Sequence, residues 1–131
     1  MSFKCRLGIE GKEFNVLNFE ISFDRPVDNF KRPAGLIRGC LIDFTIEATS
    51  DVLFFSWFSG QFQTKNGLFT FLQRDSEQKM KEVEFKDGYV IKYDENFSAF
   101  GENPYLINIT VSCNEVRMQS AFITNFWPED S

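Results

Sequence analysis

The stretch 23-FDRPVDNFKRPAGLIRG-39 interrupts a chain that otherwise alternates apolar and polar residues along most of its length. Pro26 and Pro33 each lack a backbone N–H and fix φ, which excludes a helix interior or a central strand here. Gly35 and Gly39 accept backbone conformations that are closed to other residues. We therefore predict a long loop over Phe23–Gly39, called the arm below. Connections in compact domains usually have about 4–6 residues, and much longer ones often have a binding role.

The arm differs in charge from the rest of the chain. It holds four basic and two acidic residues, whereas the whole chain has a formal net charge of −5. A cationic loop therefore projects from an acidic body. The alternative interpretation is a surface loop without a partner. The charged residues of the arm are Asp24, Arg25, Asp28, Lys31, Arg32 and Arg38.

Length and composition indicate one globular domain over residues 1–131. The chain is 43% hydrophobic and 25% charged, and its 17 phenylalanines are far above ordinary usage, so these rings must be buried somewhere. No apolar run approaches the roughly 20 residues that span a bilayer, and the N-terminal residues lack the apolar stretch of a secretory signal. We expect a chain made in the cytoplasm that leaves the cell, if it does, without a cleavable signal.

The residue types exclude most catalytic and metal sites. The chain has no histidine, which removes Ser-His-Asp catalysis, Cys-His catalysis and HExxH metal sites together. Cys5, Cys40 and Cys113 are an odd set without CxxC spacing, so neither a disulfide framework nor a zinc site is indicated. Each lies in phase with apolar neighbours, and we predict buried reduced thiols. We predict no catalytic residue, no cofactor and no metal, and we do not expect an enzyme.

Alternation with a period of two predicts a mainly β fold, a small antiparallel barrel or sandwich. The apolar phase changes near Leu17, which indicates either a bulge or a strand shared between two surfaces. Residues 10–12 (EGK) predict a turn, and residues 86–88 (KDG) predict a hairpin. Residues 40–48 form the clearest central strand. The predicted strands cover residues 3–9, 14–23, 40–48, 68–74, 79–85, 89–97, 105–116 and 117–127.

One short helix is predicted over Asp51–Ser59, with an N-cap in residues 49–51 and Gly60 just after its end. Its apolar side chains, at about 100° per residue, point to all sides of the axis, so one core cannot cover them all. They must be covered by another segment of the chain or by a neighbouring subunit, and the sequence leaves both open. The helix is too short to span a membrane and has no basic flank, so we expect no membrane insertion. These apolar residues are Val52, Leu53, Phe54, Phe55, Trp57 and Phe58.

The strand predicted over residues 105–116 has two different rows of side chains. The inner row is Ile107, Ile109, Val111 and Cys113. The outer row is polar but uncharged, which suits either a wet surface that neither repels nor holds what touches it, or an ordinary solvated face. The outer residues are Asn108, Thr110, Ser112 and Asn114.

The joint order of several motifs resembles one family along essentially the whole chain. These motifs are MSF, EISFDRPVDNFKRPAGLIRG, LQRDSEQKMKEVEFKDGYVIKYDENF, GENPY and WPED. In this order they resemble the Bacteroidetes-type TssD family, the Hcp-like tube protein of type VI secretion systems. The resemblance implies a small antiparallel β-barrel similar to phage tail-tube proteins, with one short flanking α-helix and a long extended loop.

The resemblance also implies an assembly. Hexameric rings would stack into a hollow tube that a contracting sheath expels, with baseplate, spike and effector proteins as further partners. The protein would be cytoplasmic before firing and then secreted to the exterior or into a target cell. The implied subunit contacts are Asp24, Arg25, Lys31, Arg32, Arg38, Phe54, Trp57 and Phe58, and the implied lumen-facing residues are Asn108, Thr110, Ser112 and Asn114.

Two other functions are weighed against this one. A monomeric β-barrel ligand-binding module would hold a sugar or lipid at a barrel mouth with Trp57, Trp127 and tyrosines. A single-strand nucleic-acid binder would stack bases on exposed aromatic residues. The second is disfavoured because a pI near 4.8 leaves no basic surface beyond the arm.

Overall fold

The computed structural model describes residues 3–25, 27–33, 38–60, 63–76, 78–102, 104–119 and 121–124. These residues form eight strands and one helix, which confirms the prediction of a mainly β fold. In chain order the elements are β1 (Phe3–Ile9), β2 (Lys12–Asp24), β3 (Arg38–Glu47), α1 (Leu53–Ser59), β4 (Lys65–Gln73), β5 (Lys79–Phe97), β6 (Tyr105–Ser112), β7 (Glu115–Met118) and β8 (Ala121–Thr124).

Six of these strands close into a barrel. They are hydrogen-bonded in the order β4-β1-β2-β3-β6-β5, and β4 also pairs with β5, so the sheet returns to its start. All pairings among the described strands are antiparallel, and the β7–β8 hairpin continues from β5 outside the closed ring. The alternation predicted either a barrel or a sandwich, and the closed ring of strands shows that the fold is a barrel.

The turn predicted at residues 10–12 and the bulge predicted near Leu17 are confirmed. Glu10 and Gly11 connect β1 to β2 with φ of 52° and 75°, the pair of positive values that a tight two-residue hairpin needs. The β2–β3 register shifts between Val16 and Asn18, which places the bulge at Leu17. Leu17 is 40% exposed, because the extra residue turns its side chain away from the core.

The hairpin predicted at residues 86–88 is wrong. β5 continues through them from Lys79 to Phe97, and only Asp87 has a positive φ, of 53°, whereas Gly88 does not adopt a left-handed conformation. A two-residue turn of the expected type needs positive φ at both central residues, so this stretch bends the strand without reversing it. The bend lets residues 79–88 pair with β4 and residues 89–97 pair with β6.

The last predicted strands also differ from the structure. The strand predicted over residues 105–116 breaks after Ser112, because the backbone N–H of Cys113 donates to Cys40 O (2.9 Å) and that of Asn114 to Lys86 O (3.1 Å). β6 pairs with β3 and with residues 89–97 of β5, and β7 pairs with residues 84–86 of β5. β8 follows, and residues 120 and 125–127 of the predicted final strand lie outside the described residues.

The helix begins two residues later than predicted. The Asp51 carboxylate accepts a hydrogen bond from the backbone N–H of Leu53 (2.9 Å) and forms an ion pair with Lys12 Nζ (2.7 Å). These contacts lower the pKa of Asp51, first through the Lys12 hydrogen bond. Gly60 follows α1 in an extended conformation, φ −80°, in place of the left-handed C-cap that the sequence predicted.

Aromatic rings fill the barrel beneath the helix. The ring of Phe69 lies 5.2 Å from that of Phe44 and 6.0 Å from that of Phe85, and Phe54 and Trp57 of α1 pack onto the same cluster. Trp57 stacks on Phe85, and its Nε1–H donates to Gly88 O (3.2 Å) and Gln63 O (3.1 Å). The helix therefore seals the core at the bend in β5.

The bend in β5 predicts a sharp effect of one methyl group. A Cβ at Gly88 would lie 2.6 Å from Val111 Cγ1 and 3.0 Å from the Phe85 ring, and both side chains are fully buried. We expect Gly88→Ala to lower the free energy of unfolding by about 1–3 kcal/mol, because packed neighbours cannot move aside without strain. Urea unfolding at one protein concentration measures the effect as a lower transition midpoint.

Gly8→Ala is the matched control. A Cβ there would meet its nearest neighbour, Leu68 O, at an ordinary 3.9 Å. Alanine at this position in β1 should be neutral or stabilising by about 0.5 kcal/mol. Equal transition midpoints for the two variants would contradict the packing at Gly88.

The three thiols are free and buried, as predicted. Their reactivity with a thiol reagent tests this placement. Burial raises the pKa of Cys5 to about 12, and burial also raises the pKa of Cys40 and Cys113. Because the thiolate is the reactive form, we expect Ellman's reagent at pH 8 to label the native chain about 10³-fold more slowly than a free thiol. In urea all 3 cysteines should react at once. Rapid release of one equivalent from the native protein would contradict the buried placement.

Candidate assembly surfaces

The arm is shorter than the sequence predicted. β2 extends to Asp24 and β3 begins at Arg38, and these two residues are paired at the base of the arm. The connecting loop therefore covers residues 25–37, of which 25 and 27–33 are described. Proline 26, residues 34–37 and the side chain of Arg38 lie outside the description.

Residues 27–33 close on themselves through the carboxylate of Asp28. Its Oδ1 accepts hydrogen bonds from the backbone N–H groups of Phe30 (2.8 Å) and Arg32 (2.9 Å), and its Oδ2 pairs with Arg32 Nε at 2.9 Å. The backbone N–H of Asp28 donates to Arg32 O (2.9 Å), and Val27 forms a bridge with Pro33. The pKa of Asp28 is lowered, mainly by the hydrogen bond from the backbone N–H of Arg32. We refer to residues 27–33 as the arm tip.

The arm tip presents one apolar ring beside cationic groups. Phe30 is 78% exposed, and the Arg32 guanidinium lies 5.0 Å from the centroid of its ring, a cation–π distance. Lys31 holds φ at 63° and is exposed, as are Asp24 and Arg25. Arg32, an implied subunit contact, is paired in the structure with Asp28 of its own chain.

The structure corrects two of the helix residues that were predicted at a subunit interface. Phe54 and Trp57 are each 1% exposed and belong to the chain's own core. Phe55 and Phe58 lie on the adjacent side of α1 and are 54% and 43% exposed. The barrel therefore covers Phe54 and Trp57 and leaves Phe55 and Phe58 exposed.

The burial of Trp57 also bears on the ligand-binding alternative. That hypothesis placed Trp57 at an open barrel mouth, but its ring lies inside the core, stacked on Phe85. Trp127, the other tryptophan of the hypothesis, lies outside the described residues. Trp57 is thus unavailable to a ligand in this fold.

A row of aromatic side chains, exposed except for the half-buried Tyr93, runs from the helix along the β5–β6 ribbon. Phe55 and Phe58 contact the ring of Tyr93 at centroid distances of 5.7 and 5.9 Å, and Phe97 contacts Tyr105 at 5.7 Å. Tyr93 and Phe97 lie four positions apart on β5, so they share a face of the strand. We refer to these five residues as the aromatic strip.

A carboxylate lies within the aromatic strip. Tyr105 Oη donates to Glu95 Oε1 at 2.9 Å, and Glu95 faces the same side of β5 as Tyr93. Burial first, and then the charge of Glu95, raise the pKa of Tyr93 to about 12. The aromatic strip was not among the predicted contacts, although the alternation of Tyr93, Glu95 and Phe97 indicates one shared face of the strand.

The outer row of β6 lies in a polar network. Asn108 accepts a hydrogen bond from Thr45 Oγ1 (2.6 Å) and donates one to Asp94 Oδ2 (3.0 Å), and Thr110 Oγ1 donates to Asp43 Oδ1. The network shows that this face is polar but not uncharged, because strands on both sides of β6 bring carboxylates to it. We refer to it as the polar face.

The other two members of the predicted outer row are placed differently. Ser112 ends β6 and is half-buried, while Asn114 lies in the break between β6 and β7. Among the described residues, no group of three or more Cys, Asp or Glu side chains could hold a metal ion. The same described part of the chain contains no helix that is long and apolar enough to cross a membrane.

Comparison with known proteins identifies the family. The model of hemolysin coregulated protein Hcp (TssD) matches residues 1–128. Hcp1 from Flavobacterium johnsoniae shares 31% sequence identity with a TM-score of 0.86, and the match covers 93% of this chain and 99% of that one. A search of curated proteins finds no match.

More distant structures share the fold. Hcp1 from Salmonella typhimurium has 16% identity and a TM-score of 0.73, with 95% of this chain and 93% of that chain covered. A chain of the sheath–tube complex of an extracellular contractile injection system, PVC, has 14% identity and a TM-score of 0.61, with 90% and 89% covered.

These matches confirm the resemblance seen in the motifs, including its Bacteroidetes type. The family is one of structural tube proteins that form stacked rings and are secreted through the type VI system. The chain belongs to the hemolysin coregulated protein Hcp (TssD) family and is a structural tube subunit of a type VI secretion system, not an enzyme.

Proposed function

We propose that six copies of this chain close into a ring, and that the rings stack into the inner tube that a contracting sheath expels. Baseplate and spike proteins are the further structural partners in this proposal, and effector proteins are the cargo. The protein is cytoplasmic before firing and leaves the cell with the tube. The observation that supports the proposal is the match to Hcp1 from Flavobacterium johnsoniae, which covers 93% of this chain and 99% of that one.

The proposed subunit contacts are the described arm residues and the outer face of the helix. Asp24, Arg25, Lys31 and Arg32 are exposed, and so is Phe58. These side chains are exposed on the monomer, so a second copy can contact them without disturbing the strand pairings of the barrel. Arg38 is also a proposed subunit contact, because it is paired with Asp24 at the base of the arm.

We propose further that the polar face lines the lumen. Asn108 and Thr110 offer short hydrogen-bonding groups that bind water well, and they cover the buried Ile107 and Ile109 of the same strand. Such a surface gives a passing protein few apolar contacts to adhere to. Ser112 and Asn114 extend the proposed lining toward the end of β6.

Charge reversal in the arm tests the assembly. We expect Arg32→Glu to raise the concentration at which rings form by about tenfold or more, because it opens the arm tip and places a carboxylate beside Asp28. Sedimentation velocity measures the ring fraction, and circular dichroism checks that the barrel is folded. Lys81→Glu, at an exposed position of β5 away from the arm, is the matched control and should sediment like the parent. An Arg32→Glu protein that also sediments like the parent would contradict the arm contact.

A further inference from the structure

We propose that the arm tip of one copy docks on the aromatic strip of a second copy, with Phe30 as the anchor. The inference rests on the proposed function, since it names the contact that would join copies of the tube subunit. Both surfaces lie on every copy but are different from each other. A contact between unlike surfaces repeats from copy to copy and builds a ring or a filament.

The arm tip has the composition of a docking anchor. Phe30 exposes 78% of its surface at the end of a short closed loop, and Arg32 lies against one side of its ring. An exposed phenylalanine beside an arginine is a combination that is enriched at the centre of protein interfaces. Lys31 adds a second positive charge next to the ring.

The aromatic strip has the complementary composition. Phe55, Phe58 and Phe97 are 54%, 43% and 67% exposed and lie along one side of the helix and the β5–β6 ribbon. Exposed aromatic groups on one side of a molecule are typical of association sites. Glu95 lies among these rings and can face the cations of the arm tip. In the proposed contact, Phe30 would pack against the phenylalanines of the strip, and Lys31 and Arg32 would lie near the Glu95 carboxylate.

A second copy fits the two surfaces better than the chain's own arm does. The Asp28 carboxylate folds the arm tip back on itself, so that Phe30 and the strip are exposed in the same molecule. Each copy thus carries one anchor and one acceptor surface that its own fold leaves uncovered. The closed tip also holds Phe30 in place before contact, which reduces the conformational entropy that docking would cost.

Cysteine pairs test the contact directly. The native cysteines are buried, so introduced thiols provide the reactive groups. We expect the double variants Asn29→Cys/Ser59→Cys and Asn29→Cys/Ser98→Cys, which keep Phe30, Phe58 and Phe97 and use exposed neighbouring positions, to give, with a mild oxidant, a ladder of covalent multimers on a denaturing gel for at least one of them. A ladder that ends at six copies places the contact within a ring, and a longer one places it between rings. Both ladders support the proposal.

Met80 provides a matched control position. It is 46% exposed, close to the value for Phe58, and lies at the start of β5, away from the strip. Asn29→Cys/Met80→Cys should stop at dimers, as should Asn29→Cys alone. An equal ladder with Met80→Cys, or no ladder with either strip position, would overturn the proposal.

Asp28 is the positioning residue of the contact. Added to a cross-linking pair, Asp28→Ala should slow ladder formation several-fold, because the arm tip opens. Asp28→Asn should restore much of the rate, since its amide oxygen can still accept the two backbone hydrogen bonds that Asp28 Oδ1 accepts now. Equal rates of ladder formation with Asp28, Asp28→Ala and Asp28→Asn would show that Asp28 does not position the contact.

Phe30→Ser separates this inference from the proposed function. If the parent chain forms rings in negative-stain images and the variant does not assemble, both stand. If the variant assembles like the parent, the docking contact is wrong and the tube role is unaffected. If the parent itself forms no rings, the proposed function fails. Binding of the parent, but not of Phe30→Ser, to anionic phosphatidylglycerol vesicles would make the tip a membrane contact and would also overturn the docking proposal.

Discussion

The pairing of β4 with β5 closes the sheet, and the rest of the structure depends on this closure. It gives each of the six barrel strands a hydrogen-bonded neighbour on both sides along part of its length. Closure is possible because β5 bends at Asp87 and Gly88 and changes partners there. Helix α1 then packs over the bend, where Trp57 donates its N–H to Gly88 O. The bend, the closure and the helix are therefore one structural unit.

The closed barrel determines which surfaces remain for contact with other molecules. Its interior is filled by aromatic and other apolar side chains. The barrel is therefore a packed core and does not enclose a channel. What projects from it is the arm tip, the outer face of α1 with the β5–β6 ribbon, and the polar face. A tube needs surfaces of these two kinds, adhesive ones between subunits and a wet one along the channel. The family to which the chain belongs forms such stacked rings.

The sequence was sufficient for the features that depend on local periodicity. Alternation located most strands, the bulge at Leu17 and the three buried cysteines, because each reports which side of a strand faces the core. It failed where a tertiary contact decides between local conformations. Residues 86–88 have the composition of a turn, yet closure of the barrel requires them to continue as strand. Similarly, all sides of the helix look equally apolar, and only packing on the barrel separates Phe54 and Trp57 from Phe55 and Phe58.

The candidate surfaces were predicted less completely than the fold. The arm was evident from its prolines and charges, but its closure by Asp28 depends on backbone N–H groups that composition does not reveal. The aromatic strip joins residues from α1, β5 and β6, which lie far apart in the sequence. The carboxylates of the polar face likewise come from strands on both sides of β6.

The central claim is that copies of this closed barrel build a hollow ring with the polar face inward. A cryo-electron microscopy map of the purified chain at side-chain resolution tests it most directly. The account predicts rings of six subunits whose channel is lined by Asn108 and Thr110, with the arm of each subunit in contact with another copy. Monomers at high concentration, or a channel lined by a different face of the barrel, would contradict it.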